Sequence, residues 1–407
     1  MESIERVYRQ PRRRILIAAG VLTAAGCAAG ASLAPSAARP ELVPSDVALP
    51  PPRMRPLDTR IEIVLREHPE VEVTIDEILA TPMVRDPEFQ EAVRAWVEYW
   101  RETADEAVPD FLGRMESYGA FVDSSLLAAG LPASLRYLPF IESGYNPRAA
   151  SRASAVGMWQ FMSATAGGLG MQVTALVDER RDPEKSTAAA VEFLGDLRDE
   201  FGSWFLALAA YNGGPNRVRR VMQRYAPDAP GSDSLFWALR RHFPRETREF
   251  VPKLFGAILV ARNPDAHGFE AAEHPPFRFD AVTVPDATSL DVIARAASVP
   301  QEDIERLNPQ FVRGMTPPGK VSLVRVPEGR GSAFVAAYAL IPPDERVSFV
   351  EHRVASGETL SHIALRYGVR VADIQAANPR VRPRALRVGT LLTVPVAPSA
   401  RSTVRGS

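Results

Sequence analysis

Pro139-Phe140-Ile141-Glu142-Ser143-Gly144-Tyr145-Asn146-Pro147, followed by Ser151 and then Gly157-Met158-Trp159-Gln160, decides how the rest of the chain is understood. Ala133 to Ile141 are almost all apolar or strong helix formers, with Leu135, Leu138 and Ile141 at three-residue spacing. That spacing predicts a buried helix that carries Glu142 in its last turn. Pro147 cannot continue the helix and is expected to end it. A carboxyl group held against apolar walls loses solvation of its charged form, so its pKa rises and it keeps its proton near neutral pH. A group in that state can act as a general acid toward a glycosidic oxygen. An ordinary helix-end glutamate facing water could not, so the assignment depends on the motifs around it.

Those motifs occur in a telling order. Glu142-Ser143 is followed by Ser151 and Gly157-Met158-Trp159-Gln160, by Ala210-Tyr211-Asn212, and by Glu246-Thr247 with Phe250-Val251-Pro252-Lys253. In this order the chain resembles the lysozyme-like lytic murein transglycosylases, specifically their membrane-bound type D, from about Asp58 to the end. The resemblance implies that Glu142 is catalytic and that Ser143, Ser151, Met158, Gln160, Tyr211, Asn212, Glu246 and Phe250 hold the glycan. The family usually carries Tyr where this chain has Phe250, so a hydrogen bond assigned to that position has no hydroxyl to make it, although the ring can still pack.

The implied substrate is peptidoglycan. Glu142 would protonate the oxygen between N-acetylmuramic acid and N-acetylglucosamine while the substrate's acetamido group stabilises the developing positive charge. The ionised Glu142 would then take the proton of the muramoyl C6 hydroxyl as that oxygen closes onto C1, giving a 1,6-anhydro sugar without water. No cofactor or metal is implied. Two rivals stand beside this expectation. One is a muramidase on the same scaffold, which needs an activated water and a second acid such as Asp178 or Asp182. The other is a wall-binding protein that has lost activity.

With 48 Lys+Arg against 49 Asp+Glu the formal net charge is -1, so no basic face for nucleic acid is expected. Cys27 is the single cysteine, which excludes an intrachain disulfide. Arg6, Arg9 and Arg12 to Arg14 precede an apolar stretch from Ile15 to about Ala25, the charged start and short core of a secretory signal. Ala24-Ala25-Gly26-Cys27 resembles a bacterial lipobox, with lipidation of Cys27; cleavage at nearby Ala-rich sites to give an ordinary secreted protein is the alternative. The expected place is the cell envelope, facing the periplasm, with a lipid anchor in the outer membrane. Residues 28–57, rich in Ala, Pro and Ser, cannot build a core and read as a tether.

The expected fold class is a mainly α, lysozyme-like catalytic domain followed by small α+β (βααβ) modules of the lysin-motif type. Residues 1–27 are assigned to the signal, 58–107 to a helical extension whose Phe89, Val93, Trp96 and Trp100 make a core stripe, and 108–267 to the catalytic domain. Asp182-Pro183 reads as N-cap and N1 of a helix, and Ser203 to Ala210 as the central buried helix. Past His267 the chain repeats itself: Val284, Leu290, Ile293-Ala294, Asp303-Ile304 and Asn308-Pro309 recur 70 residues on as Val354, Leu360, Ile363-Ala364, Asp373-Ile374 and Asn378-Pro379. The units are 280–328 and 350–397, with 398–407 a disordered tail. The second resembles a lysin motif, which implies binding of N-acetylglucosamine-containing chains between loops at Gly357 to Leu360 and Asn378 to Arg380, through Gly357, Thr359, Leu360 and Asn378. The first replaces Gly357-Glu358-Thr359 with Ala287-Thr288-Ser289, leaving open whether it binds.

Overall fold

Asp86 accepts a hydrogen bond from the Phe89 amide and Pro87 takes the first helical position, where a missing N–H costs nothing, so helix α1 (Pro87–Glu102) starts where its sequence says it should. The computed structural model describes residues 76–395 apart from 175, 318, 347, 348, 368, 379, 380 and 383–385. The signal with Cys27, the tether and the C-terminal tail lie outside the described residues. In α1, Phe89, Val93 and Trp100 are buried, and the helix lies along α9 (Arg245–Arg262).

The centre of the helical body is α6 (Trp204–Gly213), buried without interruption from Trp204 to Ala210. A helix with no polar face can be solvated on no side, so its neighbours must enclose it. They are α5 (Pro183–Phe201), α7 (Pro215–Tyr225), α8 (Asp233–Leu239) and α9. The long α2 (Val108–Ala128) packs against α5 and the segment before Glu142.

The single helix expected over 133–141 is in fact two pieces. Ala133–Tyr137 form a 3-10 turn, and α3 (Leu138–Ser143) follows. Pro139 explains the break, because it has no N–H to continue a ladder and fits only a first turn. α3 also ends before Pro147. Gly144 adopts φ 57, and the amides of Gly144 and Tyr145 close back onto the carbonyls of Phe140 and Pro139. Glu142 thus sits in the last turn of a six-residue helix whose end is locked rather than frayed.

A short α4 (Ser163–Gly168) completes the helical body, and two βααβ units follow. In the first, β1 (Phe279–Val284) pairs antiparallel with β2 (Ser322–Pro327), and α10 (Leu290–Ala297) and α11 (Gln301–Leu307) lie between them in sequence. In the second, β3 (Phe349–Arg353) pairs antiparallel with β4 (Leu391–Pro395) around α13 (Leu360–Tyr367) and α14 (Val371–Ala377). The repeated asparagine has one structural task in both. Asn308 donates to the carbonyls of Ile304 and Arg325 and accepts from the Arg325 amide. Asn378 does the same with Ile374 and Thr393. Each amide side chain therefore ties the end of the second helix to the closing strand.

The first unit is not a free bead on a string. Val177 bridges Phe311, the Asp178 amide donates to the Gln310 carbonyl, and the Val312 amide donates to Leu176. Leu176 and Val177 join this unit's own apolar core. Arg325, 3% exposed, crosses the boundary to bond Asp182 at 2.8 Å and Glu184 at 2.6 Å. After β2, α12 (Gly331–Tyr338) folds back over α10.

Candidate active site

Glu142 is partly buried at the end of α3, and among the described residues no group hydrogen-bonds its carboxyl oxygens. Burial pushes its pKa up to about 7; the nearby Lys253 ammonium pulls it down and the Glu246 carboxylate pushes it up further. The desolvation outweighs the cation, so the side chain holds its proton near neutrality.

The loop facing Glu142 is fixed by backbone contacts. The Ser143 hydroxyl donates to the Met158 carbonyl at 2.7 Å and accepts from the Asn146 amide. The Tyr211 hydroxyl, at the end of α6, donates to the Trp159 carbonyl at 2.7 Å. Trp159 itself is fully buried and donates through its indole N–H to Thr187. Gly157 sits at φ 88, and a Cβ there would fall 1.8 Å from the Arg180 carbonyl oxygen, so no other residue fits. Gln160 adopts φ 50, an unfavourable conformation for a residue with a side chain, and folds its amide onto the Gly157 carbonyl. Such strain persists only where surroundings over-determine it, as they do here from three sides.

On the opposite wall Asn212 donates to Glu246 at 3.3 Å and accepts from the Thr247 hydroxyl at 2.9 Å. Burial drives the Tyr211 phenol well above its ordinary range, and the Glu142 charge adds to the effect. Tyr211 therefore stays a neutral hydroxyl. Ser151 is exposed, and its hydroxyl accepts from the Ala155 amide.

The structure thus brings Glu142, Ser143, Gln160, Tyr211, Asn212 and Glu246 around one locus, and it corrects two expectations. Met158 and Phe250, expected against the glycan, are 0% and 3% exposed, because apolar side chains in this wall are drawn into the core. They shape the site from beneath. In the second module, Gly357 and Thr359 are exposed, whereas Leu360 is buried in the module core. The Asn378 side chain is likewise directed inward by its three hydrogen bonds rather than toward a ligand. Pro379 and Arg380, the rest of the second expected loop, lie outside the described residues.

Asp178 and Asp182, the second acids a hydrolase would recruit, are both committed elsewhere. Asp178 makes a two-point ion pair with Arg180. Asp182 caps α5, accepting from the amides of Glu184 and Lys185, and also holds Arg325. Lys253, which closes the last sequence motif, is given no role by the sequence patterns. Its Nζ donates to the Ile141 carbonyl at 2.8 Å, one residue before Glu142, and lies 5.8 Å from the ring centres of both Trp96 and Trp100. The available signal was a lysine set among Phe250, Val251, Pro252, Leu254 and Phe255 on a buried helix. Among the described residues no three His, Cys, Asp or Glu side chains gather as they would around a metal ion.

The family described as "Transglycosylase SLT domain" matches residues 128–230, "Lytic transglycosylase MltD, LysM-like domain" matches 278–343, and "LysM domain" matches 352–395. The membrane-bound lytic murein transglycosylase D of Escherichia coli K12 is 29% identical over 308 residues, 72% of this chain and 67% of that protein. The membrane-bound lytic murein transglycosylase F of Serratia proteamaculans is 33% identical over 138 residues, 31% of this chain and 25% of that protein. The crystal structure of the 70 kDa soluble lytic transglycosylase of Escherichia coli aligns with 44% of this chain and 29% of its own, at 22% identity and a TM-score of 0.32. The chain thus carries matches to a transglycosylase domain, an MltD-type LysM-like domain and a LysM domain in that order, and is similar to the type D lytic murein transglycosylase of Escherichia coli.

Proposed function

We propose that this protein is a lytic transglycosylase that cuts the β-1,4 bond between N-acetylmuramic acid and N-acetylglucosamine in peptidoglycan, with Glu142 as its only acid and base. The observation that carries the proposal is a carboxyl poised at about 7, with the neighbouring Glu246 bonded to Asn212 and the two acids a hydrolase would recruit, Asp178 and Asp182, tied up in ion pairs. Glu142 gives its proton to the glycosidic oxygen as the C1–O bond breaks. The carboxylate then accepts the C6 hydroxyl proton while O6 bonds to C1. The proton lost in the first step is regained in the second, and no water is consumed. Gln160, Asn212, Glu246 and exposed Ser151 are assigned to the glycan, whereas Ser143 and Tyr211 act by holding the Met158 and Trp159 carbonyls in place.

The two repeat units are assigned different tasks. In the second, Ala355, Ser356, Gly357 and Thr359 are exposed and free to meet a sugar chain. In the first, the matching Ala287, Thr288 and Ser289 are 6%, 0% and 4% exposed, covered by Tyr338, whose hydroxyl meets Thr288 at 2.7 Å, and by the Arg346 backbone. The second unit is therefore the glycan binder and the first is a docked spacer. Cys27 is assigned as the lipid attachment site that tethers the enzyme to a membrane facing the wall, consistent with the membrane-bound relatives. The test is digestion of purified sacculi. Released muropeptides that resist borohydride reduction at muramic acid support the proposal, and reducible muramic acid ends refute it.

A further inference from the structure

The last turn of α3 leaves the carbonyl of Ile141 without a helical partner, since the ladder stops at Ser143 and the Gly144 and Tyr145 amides close onto Phe140 and Pro139. A water or a neutral amide could satisfy that oxygen. Here the donor is the ammonium of Lys253, brought from α9 and framed by the rings of Trp96 and Trp100 on α1. Placing a charge in a partly buried aromatic slot is costly, and burial lowers the Lys253 pKa. A carbonyl alone does not need it. The carboxyl one residue further on does, because it must become an anion in mid-reaction without a hydrogen-bond partner from the protein.

We propose that Lys253 is a positioning residue for the acid: it grips the turn that carries Glu142 and supplies the positive charge against which the Glu142 carboxylate forms once its proton has passed to the leaving sugar. This rests on the transglycosylase reading for its reaction, but not for its electrostatics. The other charged groups around the turn do not replace it. From α9, Glu246 opposes ionisation of Glu142. From α6, Tyr211 is neutral. From α2, Arg114 donates to the Gly144 carbonyl at 2.6 Å but is neutralised by Asp110, which also meets His274. In the 3-10 turn Arg136 is paired with Asp123. Glu249, bonded to the Trp96 indole, faces Arg245 and Arg248.

The test compares full-length wild type with Lys253→Gln, which keeps a donor but no charge, Lys253→Met, which keeps neither, and Lys253→Arg, which keeps the charge. Glu142 is titrated by NMR of carboxyl-labelled glutamate, assigned by its loss in Glu142→Gln, and the pH profile of kcat/KM is recorded on soluble glycan. A cation beside a carboxyl holds its pKa down, so its removal should raise the Glu142 pKa by about one unit or more and move the basic limb of the profile the same way. Arginine should leave both within about half a unit of wild type. A folded Gln or Met variant whose Glu142 titrates where the wild type does overturns the proposal. Should neither fold, a limb displaced by more than about one unit in Lys253→Arg overturns it. Reducing-end products from the wild type would count against the transglycosylase reading alone, because the titration is read without turnover.

Discussion

Replacing Glu142 with Gln should remove activity and yet make the folded protein more stable at alkaline pH. The carboxyl titrates at an ordinary 4.5 when unfolded and at about 7 when folded. Between those values the folded state binds more protons than the unfolded state, so stability contributed by this group falls as pH rises and is fully lost above 7. At about 1.4 kcal/mol per unit the loss is at most about 3.5 kcal/mol. Glutamine never ionises, so the variant avoids it. Thermal unfolding of both proteins should coincide at pH 4 and separate progressively to pH 8, with the variant melting higher by on the order of 5–10 °C. Turnover of sacculi should meanwhile drop by about 100-fold to 10,000-fold, the contribution of a general acid. Equal melting at pH 4 and pH 8 would refute the buried acid. Retention of more than about a tenth of wild-type turnover would remove Glu142 from the chemistry.

Tyr211→Phe removes the donor to the Trp159 carbonyl and should cost about 1–3 kcal/mol in denaturant unfolding, with kcat falling because the Gly157 to Gln160 loop loses its latch. Arg325→Met leaves Asp182 and Glu184 without their shared cation; about 3 kcal/mol is expected, near the low end for a broken buried pair because Glu184 is 32% exposed and Asp182 keeps its cap bonds. Proteolysis between residues 268 and 278 should accelerate in that variant as the first unit loosens. Ending the chain after Arg346 should preserve cleavage of soluble glycan while weakening binding to insoluble sacculi, since it removes only the second unit and its contribution to local concentration. Unchanged sacculus binding would exclude that unit as the anchor to substrate.

The site was legible where its chemistry is local. Glu142, its apolar approach and the Tyr211-Asn212 end of an all-apolar helix lie in short continuous runs, and the Asn308 and Asn378 repeats mark a bond made twice. What the pattern could not reveal depends on distant segments. The Lys253 ammonium meets Ile141 across 112 positions, and nothing in the periodicity of α9 points to that partner. The docking of the first unit combines backbone bonds between Leu176 to Asp178 and Gln310 to Val312 with the pairing of Arg325 to Asp182 and Glu184, partners 143 and 141 positions apart that no local pattern joins. Burial of Thr288 and Ser289 likewise comes in part from Tyr338 and Arg346, outside the repeat. A cut after Ala266, which the repeat boundary invites, would strip Leu176, Val177 and Asp182 of partners they need.

Cleavage in heavy-oxygen water asks most directly whether Glu142 works alone. A hydrolase must place an oxygen from water on C1 of muramic acid, whereas closure by the C6 oxygen takes every atom from the substrate. Digestion of sacculi by the full-length protein in labelled water, followed by mass analysis of each muropeptide, should give products one water lighter than hydrolysed ones and free of label at C1. Label at C1 in most products would contradict the transglycosylase account and require a second, water-activating group in this site.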